Sequence, residues 1–359
     1  MPPRPPRFWY PPPNTQKRAT LPTRFLSPAA SLYGLGVRLK QRFTVPARES
    51  VPVFCVGNLT VGGAGKTPVA LMVAEKLRAK GESIHFLTRG YGGAIRLPTQ
   101  VANIHKAHHV GDEALLLAKF APTWVGRDRA QSARAAIRAG ATVLVMDDGF
   151  QNCDLYKDLS FLVISGEQGL GNGKLIPSGP LREPPETARA RTDALIVMGS
   201  TARDDVKEFI DNCPSPVFTT TLNPNVPPSW KGNQEKPMLA FAGIGYPDKF
   251  FQTLRETSAH LAAVSDFPDH YVYKEKDAIR LLDEAARLGA QLVTTEKDAM
   301  RLASAQPDSA CYTLHKQTIT LPVKATLDTV ENNAAFDRLL QTSLDGARTM
   351  HNYHLPGSA

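Results

Sequence analysis

A glycine-rich run at residues 57–68 carries the clearest chemical signal in the chain. It follows residues 51–56, which have the apolar, partly β-branched composition of a buried parallel strand, and precedes residues 69–80, which have helical periodicity. Glycines between a strand and a helix let backbone N–H groups turn toward phosphate oxygens at a helix N-terminus, where anions are favoured. The order of strand, loop and helix therefore predicts a site for a nucleoside triphosphate.

Each position of this loop has an expected role. Lys66 is expected to reach the β- and γ-phosphates of ATP, and the Thr67 hydroxyl to bind Mg²⁺. The nucleotide-binding candidates are Thr60, Val61, Gly62, Gly63, Ala64, Gly65, Lys66 and Thr67. Thr60 departs from the pattern G-x-x-x-x-G-K-[ST], which has a glycine there. A structural turn with a surface lysine is the alternative interpretation.

Two adjacent carboxylates, Asp147 and Asp148, follow the apolar residues 143–146. In a parallel sheet with a phosphate-binding loop, the acid that orders Mg²⁺ stands at such a strand end, beside the nucleotide. For either residue alone, an Asp-Gly turn is the alternative. Together with the glycine loop, the pair predicts a magnesium site that includes Thr67.

A second acidic pair, Asp112 and Glu113, precedes the apolar residues 114–118. Such a pair is typical of a helix start, where carboxylates cap N–H groups and complement the helix dipole. A kinase also needs a carboxylate near its acceptor hydroxyl, and Asp112 is of the right type for a general base. The residues themselves favour the capping interpretation.

Further candidates lie in loops rich in glycine and proline. Residues 169–184 predict a shaped active-site loop that presents Arg182 and Glu183, and Arg89 follows a predicted strand as a possible phosphate clamp. Arg129, at the start of a helical segment, is a further candidate for phosphate or substrate binding.

Histidines give a weaker signal. His105, His108 and His109 form a cluster in the sequence, but no acid or cysteine completes a metal site, so a solvated loop is the favoured interpretation. His270 stands in an aromatic-rich segment, and its own context assigns it no function.

The charge distribution points to an unusual N-terminus. The nine basic residues and one acidic residue of residues 1–50 account for the whole net charge of +8. Residues 1–24 are expected to form a disordered, proline-rich basic arm, and residues 25–50 an interfacial helix on an anionic membrane surface. The apolar part, residues 25–37, is too short to span a bilayer and lacks a signal cleavage site. A helix docked on the protein's own core is the alternative.

The predicted fold class is α/β: a P-loop NTPase-type parallel sheet flanked by helices, with a second, smaller α/β domain. The length of 359 residues gives each domain room for its own core. After the N-terminal segments the expected division is a kinase domain at 51–212, a proline-rich linker at 213–237, a smaller domain at 238–345 and a tail at 346–359. Four scattered cysteines without a C-x-x-C pair predict no disulfide framework and a reducing cytosol.

Together these motifs resemble one family, the tetraacyldisaccharide 4'-kinases, or lipid A 4'-kinases, of Gram-negative bacteria. The resemblance extends from about residue 25 over nearly the whole chain. The motifs that carry it are the glycine loop, Arg89-Gly-Tyr-Gly-Gly, Val110-Gly-Asp-Glu, Asp147-Asp-Gly-Phe-Gln, Gly171-Asn-Gly, Gly179-Pro-Leu-Arg-Glu, Phe267-Pro-Asp-His and Thr294-Thr-Glu-Lys-Asp. Thr60 fits the family's pattern, whereas the first 24 residues are not explained by it.

The resemblance implies transfer of the γ-phosphate of ATP to the 4'-hydroxyl of a tetraacyl glucosamine disaccharide 1-phosphate. The expected location is the cytoplasmic face of the inner membrane, as a peripheral or monotopic protein with no obligatory protein partner. By family likeness Asp112 is the general base with His270 as its partner across the interdomain cleft, which replaces the capping interpretation. Glu183 and the pair Asp147 and Asp148 would order Mg²⁺ with Thr67.

Two other classes remain as alternatives. A P-loop switch ATPase of the partitioning or metallochaperone type also carries Gly-Gly-x-Gly-Lys-Thr, but many of those place a lysine where this chain has Val61. A nucleic-acid-binding protein is disfavoured, because no basic patch with interleaved aromatic residues follows the N-terminal arm.

Overall fold

The computed structural model describes residues 5–11, 20–226, 236–257 and 259–353, with side chains through residue 350. A 3₁₀ turn spans Arg7–Trp9. The α-helices are α1 (Leu21–Phe43), α2 (Lys66–Ala79), α3 (Ala107–Val110), α4 (Asp112–Ala118), α5 (Arg129–Arg138), α6 (Pro185–Arg189), α7 (Asp204–Asp211), α8 (Pro247–Glu256), α9 (Glu275–Leu288), α10 (Glu296–Leu302), α11 (Ala310–Gln317) and α12 (Val330–Tyr353). The strands are β1 (Val53–Asn58), β2 (Ile84–Thr88), β3 (Thr99–Gln100), β4 (Thr123–Val125), β5 (Val143–Asp147), β6 (Leu159–Ser165), β7 (Ala194–Met198), β8 (Val217–Pro224), β9 (Met238–Ala242), β10 (Leu261–Asp266), β11 (Gln291–Thr295), β12 (Thr318–Leu321) and β13 (Val323–Leu327).

A nine-stranded sheet forms the larger part of the fold, with strand order β13-β8-β7-β6-β1-β5-β2-β4-β3. Its strands are parallel except at the two edges, where β13 pairs antiparallel with β8 and β3 pairs antiparallel with β4. The central strands β1, β5, β6 and β7 are buried along their whole length, as expected for strands covered on both faces. Helices α2 and α12 pack on one face, and α5 and α7 pack on the other. We call this sheet with its helices the first lobe.

A four-stranded parallel sheet, β10-β9-β11-β12, forms the second lobe. Helix α8 covers one face, and helices α9 and α11 cover the other. Two α/β lobes, one built on a large and mostly parallel sheet, confirm the predicted fold class.

The boundaries of the lobes differ from the predicted domain boundaries. Strand β8 lies inside the predicted linker, residues 213–237, and pairs with β7 in the first sheet. After the second lobe the chain returns to the first, because β13 pairs with β8 and α12 packs its buried Phe336 against the first core. This return crosses more than 90 residues of sequence, and therefore no local pattern indicates it. Part of the predicted tail, residues 346–353, continues α12.

The N-terminal segment also differs from the expected arrangement. Helix α1 begins at Leu21, inside the predicted disordered arm, and Phe8 and Trp9 of that arm form hydrogen bonds with the 171–178 loop. Residues 1–4 and 12–19 of the predicted arm lie outside the described residues. One face of α1, which includes Thr23, Ala30 and Gly34, is buried, so the helix docks on its own chain. Its other faces leave large apolar side chains exposed, namely Leu21, Phe25, Leu32, Leu35, Leu39 and Phe43. Among the described residues, no helix has the length and apolarity needed to cross a membrane.

Candidate active site

The glycine loop joins β1 to α2 at the carboxyl edge of the first sheet. Gly65 caps the helix in a left-handed conformation with φ of 85°, and Gly62 has φ of 121°. Both values are accessible mainly to glycine. The buried Asn58 side chain donates a hydrogen bond to the Thr60 carbonyl at 2.7 Å, which fixes the loop's entry. The N-terminus of α2 is thus held at the loop, in the arrangement that binds phosphate groups.

Thr60 occupies an extended position that requires no glycine. Its backbone forms a bridge with Leu181, and the neighbouring Val61 N–H donates to the Pro180 carbonyl at 2.8 Å. The loop is therefore paired along its first residues with the 169–184 loop, as a short piece of sheet. This pairing explains why a β-branched residue replaces the first glycine of the general pattern.

The Thr67 hydroxyl donates to Oδ2 of Asp147 at 3.0 Å. The other carboxylate oxygen, Oδ1, is buried and has no hydrogen-bond partner within the described ranges. Burial raises the pKa of Asp147 to about 7, and the charge of Glu113 adds to the shift. An unpaired buried carboxylate oxygen beside a threonine hydroxyl fits Mg²⁺, a cation that binds through one or two carboxylates together with substrate phosphates.

Asp148 faces a different set of groups. Its Oδ1 lies 2.7 Å from Arg182 Nη1 and 3.7 Å from Lys66 Nζ, and its backbone has φ of 57°. Burial opposes ionisation of Asp148, but the charges of Lys66 and Arg182 outweigh it and hold the pKa well below its usual range. The two acids therefore differ in their contacts: Asp147 accepts a hydrogen bond from the Thr67 hydroxyl, whereas Asp148 is paired with the basic side chains of Lys66 and Arg182.

Glu183 is fully buried and is held by three donors. Gln41 of α1 and Gln151 donate to its two oxygens at 3.1 and 3.0 Å, and Arg191 donates to the oxygen that also receives Gln41. The carboxylate thereby links α1 to the active-site loops. Its expected role in ordering Mg²⁺ stays a prediction.

Arginines surround the phosphate region. Arg129 is buried at the start of α5, donates to the Gly126 carbonyl and leaves its Nε without a partner among the described residues. Burial lowers the pKa of Arg129 to about 10, and the charge of Arg89 contributes to the shift. The charges of Lys66, Arg182 and Arg129 all act on Asp148, so positive charge is concentrated in a region suited to the negative charge of phosphate groups.

Asp112 is buried at the first residue of α4, and His270 approaches it from the second lobe. His270 Nδ1 lies 3.4 Å from Asp112 Oδ2, and His270 has φ of 54°, an uncommon conformation for a residue with a side chain. Burial opposes the charged form of each group. The contact between them nevertheless holds the pKa of Asp112 well below its usual range and raises that of His270, and the Arg301 charge lowers the pKa of Asp112 further.

The predicted loop at residues 88–93 packs on the backbone of residues 109–111, directly before Asp112. A Cβ atom at Gly111 would clash with the backbone oxygen of Tyr91, and one at Gly93 would clash with His109. The Tyr91 ring lies 5.3 Å from the His270 ring. The glycines therefore allow two backbone segments to meet closely, and this packing brings Tyr91 to the boundary between the lobes.

Comparisons with known proteins identify the family of this chain. Residues 22–344 match the family model described as tetraacyldisaccharide-1-P 4'-kinase. The chain belongs to this 4'-kinase family.

Similar proteins and structures extend over nearly the whole chain. The tetraacyldisaccharide 4'-kinase of Parvibaculum lavamentivorans is 50% identical over 324 residues, covering 90% of this chain and 93% of that protein. The tetraacyldisaccharide 4'-kinase of Jannaschia sp. is 43% identical over 90% of this chain and 95% of its own length. The crystal structure of LpxK from Aquifex aeolicus in complex with ATP has a TM-score of 0.71 and 26% identity, covering 90% of this chain and 99% of that one.

Family membership favours a kinase over the switch-ATPase and nucleic-acid-binding alternatives. In this member of the 4'-kinase family many of the predicted residues fall into two groups. Contacts beside the glycine loop join Lys66, Thr67, Asp147, Asp148 and Arg182, and Asp112 meets His270 at the boundary between the lobes. Within the described ranges no cluster of three or more His, Cys, Asp or Glu residues could hold a metal ion.

The sequence patterns assign no role to several residues of this 4'-kinase site, although Asn58, Gln151 and Lys297 lie within motifs that carry the family resemblance. Asn58, Gln151 and Arg191 support the loops, and Lys297 and Arg301 reach Glu113 and Asp112 from the second lobe. Lys297 lies within the motif Thr294-Thr-Glu-Lys-Asp, which carries the family resemblance, and Arg301 lies three residues after it. The motif indicates where to look, but the partner residues lie more than 180 positions away in the chain.

Proposed function

We propose that this protein transfers the γ-phosphoryl group of ATP to the 4'-hydroxyl of a tetraacyl glucosamine disaccharide 1-phosphate, a lipid A precursor. The arrangement of Asp112 and His270, facing each other across the lobe boundary, carries the proposal. A switch ATPase needs to position only water, whereas a kinase must also align and deprotonate an acceptor hydroxyl.

The donor half of the reaction is assigned to the glycine loop and its neighbours. Lys66 and the N-terminus of α2 would hold the β- and γ-phosphates, and Arg182, Arg89 and Arg129 would face the charge on the transferring oxygens. Thr67 and Asp147 would hold Mg²⁺, which supplies charge neutralisation between the β- and γ-phosphates when bound.

The acceptor half is assigned to Asp112. As the acceptor oxygen forms its bond to the γ-phosphorus, the bond from that phosphorus to the bridging oxygen breaks and ADP leaves. The proton of the hydroxyl passes to the Asp112 carboxylate. His270, whose raised pKa favours the imidazolium form, stabilises and orients the carboxylate before transfer.

Helix α1 supplies access to a lipid substrate at the cytoplasmic face of the inner membrane. Removing acyl chains from a bilayer costs about 0.8 kcal/mol per CH₂ group, so the enzyme has to work at the surface. The exposed apolar side chains of α1 and its basic Arg38, Lys40 and Arg42 have the composition of an interfacial helix. The hydrogen bond from Gln41 of α1 to Glu183, a predicted site residue, supports a membrane surface close to the reaction.

The decisive experiment is a transfer assay with radiolabelled ATP and purified disaccharide 1-phosphate in detergent micelles. We expect Mg²⁺-dependent label on the lipid, and loss of most turnover in Asp112→Ala while nucleotide binding is retained. ADP release that is equally fast without the lipid would reject the kinase. Unchanged turnover in Asp112→Ala would reject the proposed base.

A further inference from the structure

Arg301 of α10 reaches across the lobe boundary and contacts Asp112. The two side chains are almost completely buried, with 8% and 4% of their surface exposed. The Nε atom donates to Asp112 Oδ2 at 2.8 Å, and Nη2 donates to the same oxygen. Two donors from one planar guanidinium restrict the orientation of the carboxylate more than a single point charge does.

The opposite edge of the guanidinium is anchored in the second lobe. Its Nη1 donates to the Gly243 carbonyl at 2.6 Å and to Asp298 at 2.7 Å. Asp298 is itself fully buried and accepts hydrogen bonds from the Gly243 N–H and, at 2.8 Å, from the Tyr273 hydroxyl. Arg301 is therefore fixed to the second lobe, and any relative movement of the lobes changes its contact with Asp112.

The contacts distinguish the two oxygens of Asp112. Oδ2 accepts both Arg301 donors and faces His270 Nδ1, whereas Oδ1 accepts only the Glu113 N–H, at 3.1 Å, within the described part of the chain. Because a carboxylate has about four lone-pair sites, Oδ1 keeps one for a further donor.

We propose that Arg301 is a positioning residue for phosphoryl transfer: it holds the Asp112 carboxylate ionised and oriented so that Oδ1 receives the acceptor proton. This inference rests on the proposed role of Asp112 as the base. In this positioning role the long Arg301 side chain couples the orientation of the base to the position of the second lobe. The ion pair between Asp112 and His270 does not perform this task.

The charges around the pair fix the sign of the expected pH effect. Arg301 and Lys297 favour the ionised form of Asp112, and the charge of Asp112 in turn opposes ionisation of Glu113. Arg301 also lowers the proton affinity of His270, which Asp112 and Asp269 raise. Removal of the guanidinium charge therefore increases the proton affinity of both members of the pair, which titrate as a unit.

The test is Arg301→Gln in the full-length protein, with Arg301→Lys as the second variant. We expect kcat to fall roughly 10- to 100-fold in Arg301→Gln, the rate equivalent of one hydrogen bond to a charged group. We also expect the NMR titration of the His270 ring, and the acidic limb of the kcat/KM profile, to move to higher pH. Lys keeps the charge without the fork, so Arg301→Lys is expected to lower kcat while moving the titration less.

A matched control is Lys249→Gln, which removes an exposed ion pair between the lobes, Lys249 with Glu167, away from Asp112. We expect it to leave both the titration and kcat unchanged. If Arg301→Gln has an unshifted His270 titration and a kcat within twofold of wild type, the inference is overturned. If Arg301→Gln does not fold, wild-type behaviour of Arg301→Lys in both measurements overturns it instead. Asp112→Asn separates the two proposals. If Asp112→Asn is inactive while the Arg301 variants behave as wild type, the base stands and only the role of Arg301 fails.

Discussion

At the scale of single residues, the two adjacent acids Asp147 and Asp148 have different surroundings and therefore different expected roles. Asp147 has an unpaired buried oxygen and a threonine hydroxyl beside it, whereas Asp148 is paired with Arg182 and Lys66. Sequence identifies the acidic pair but treats its members alike. The different contacts favour Asp147 as the proposed metal ligand.

Asp147→Asn tests this assignment. The amide removes the negative charge that would face Mg²⁺, so we expect the Mg²⁺ concentration for half-maximal turnover to rise at least about tenfold, equivalent to one lost charge-assisted contact. The measurement is turnover at saturating ATP across a Mg²⁺ titration, with the exposed Asp345→Asn as control. An unchanged Mg²⁺ dependence would move the metal away from Asp147.

The contact of His270 with Asp112 is expected to make a pH-dependent contribution to the free energy of unfolding. The folded pKa of His270 is raised above the unfolded value of about 6.5, so its stabilising effect is complete below that value and is lost as the pH rises through the folded pKa. We expect His270→Gln to lower the urea midpoint more at pH 5.5 than at pH 9. The exposed His260→Gln is the control, and an equal loss at both pH values would contradict the prediction.

At the scale of elements, the local order of strand, glycine loop and helix was readable from sequence because each part has its own composition. Helix α1 was readable only in part. Its docking face consists of small residues such as Ala30 and Gly34, and a Cβ atom at Gly34 would lie 2.7 Å from Leu175. Small residues have no hydrophobic periodicity, so the sequence shows the exposed apolar side chains and not the face that docks.

The exposed apolar side chains of α1 are expected to bind the membrane surface. Burial of a large apolar side chain contributes about 1.5–3 kcal/mol of favourable free energy. We therefore expect the triple variant Phe25→Ser, Leu32→Ser, Leu35→Ser to partition at least tenfold more weakly into anionic vesicles. Because these residues point away from the docked face, turnover with micellar substrate should persist. Partition is measured by vesicle sedimentation, with Ile279→Ser on α9 as the control. Wild-type partition of the triple variant would argue against the interfacial role.

The short segment around residues 7–10 is expected to support the glycine loop. The Tyr10 hydroxyl donates to the Val61 carbonyl at 3.0 Å, and its ring packs edge-on against Tyr246 of the second lobe. Tyr10→Phe removes one hydrogen bond of about 0.5–1.5 kcal/mol, so we expect KM for ATP to rise about two- to tenfold with kcat little changed. Steady-state kinetics measure this, with Tyr312→Phe as control; an unchanged KM would show that the segment does not influence the loop.

At the scale of the whole molecule, the site is completed by contacts that join distant parts of the chain. His270, Lys297 and Arg301 meet Asp112 and Glu113 across the lobe boundary. Single-sequence patterns carry no information on such pairings, because each partner has ordinary local surroundings. The family resemblance implies the pairing of Asp112 with His270, whereas neither the resemblance nor the patterns indicate that Lys297 and Arg301 contact the acidic residues of the first lobe.

If the lobes engage through this group of charges, the pair Glu113 and Lys297 should act as a unit. The two side chains lie 2.8 Å apart, and the charge of Lys297 holds the pKa of Glu113 below its usual value although burial opposes this. We expect Glu113→Gln and Lys297→Gln each to lower kcat about tenfold, because either change leaves a partly buried charge without its partner. The double variant, which removes both charges, should be no slower than the slower single variant.

Dissociation constants for ATP, measured in parallel, should stay within about twofold of wild type, because the pair closes the lobes and does not hold the donor. Multiplicative losses of kcat in the double variant would mean that the two residues act independently, and the lobes would then have to be coupled through Arg301 and Asp112.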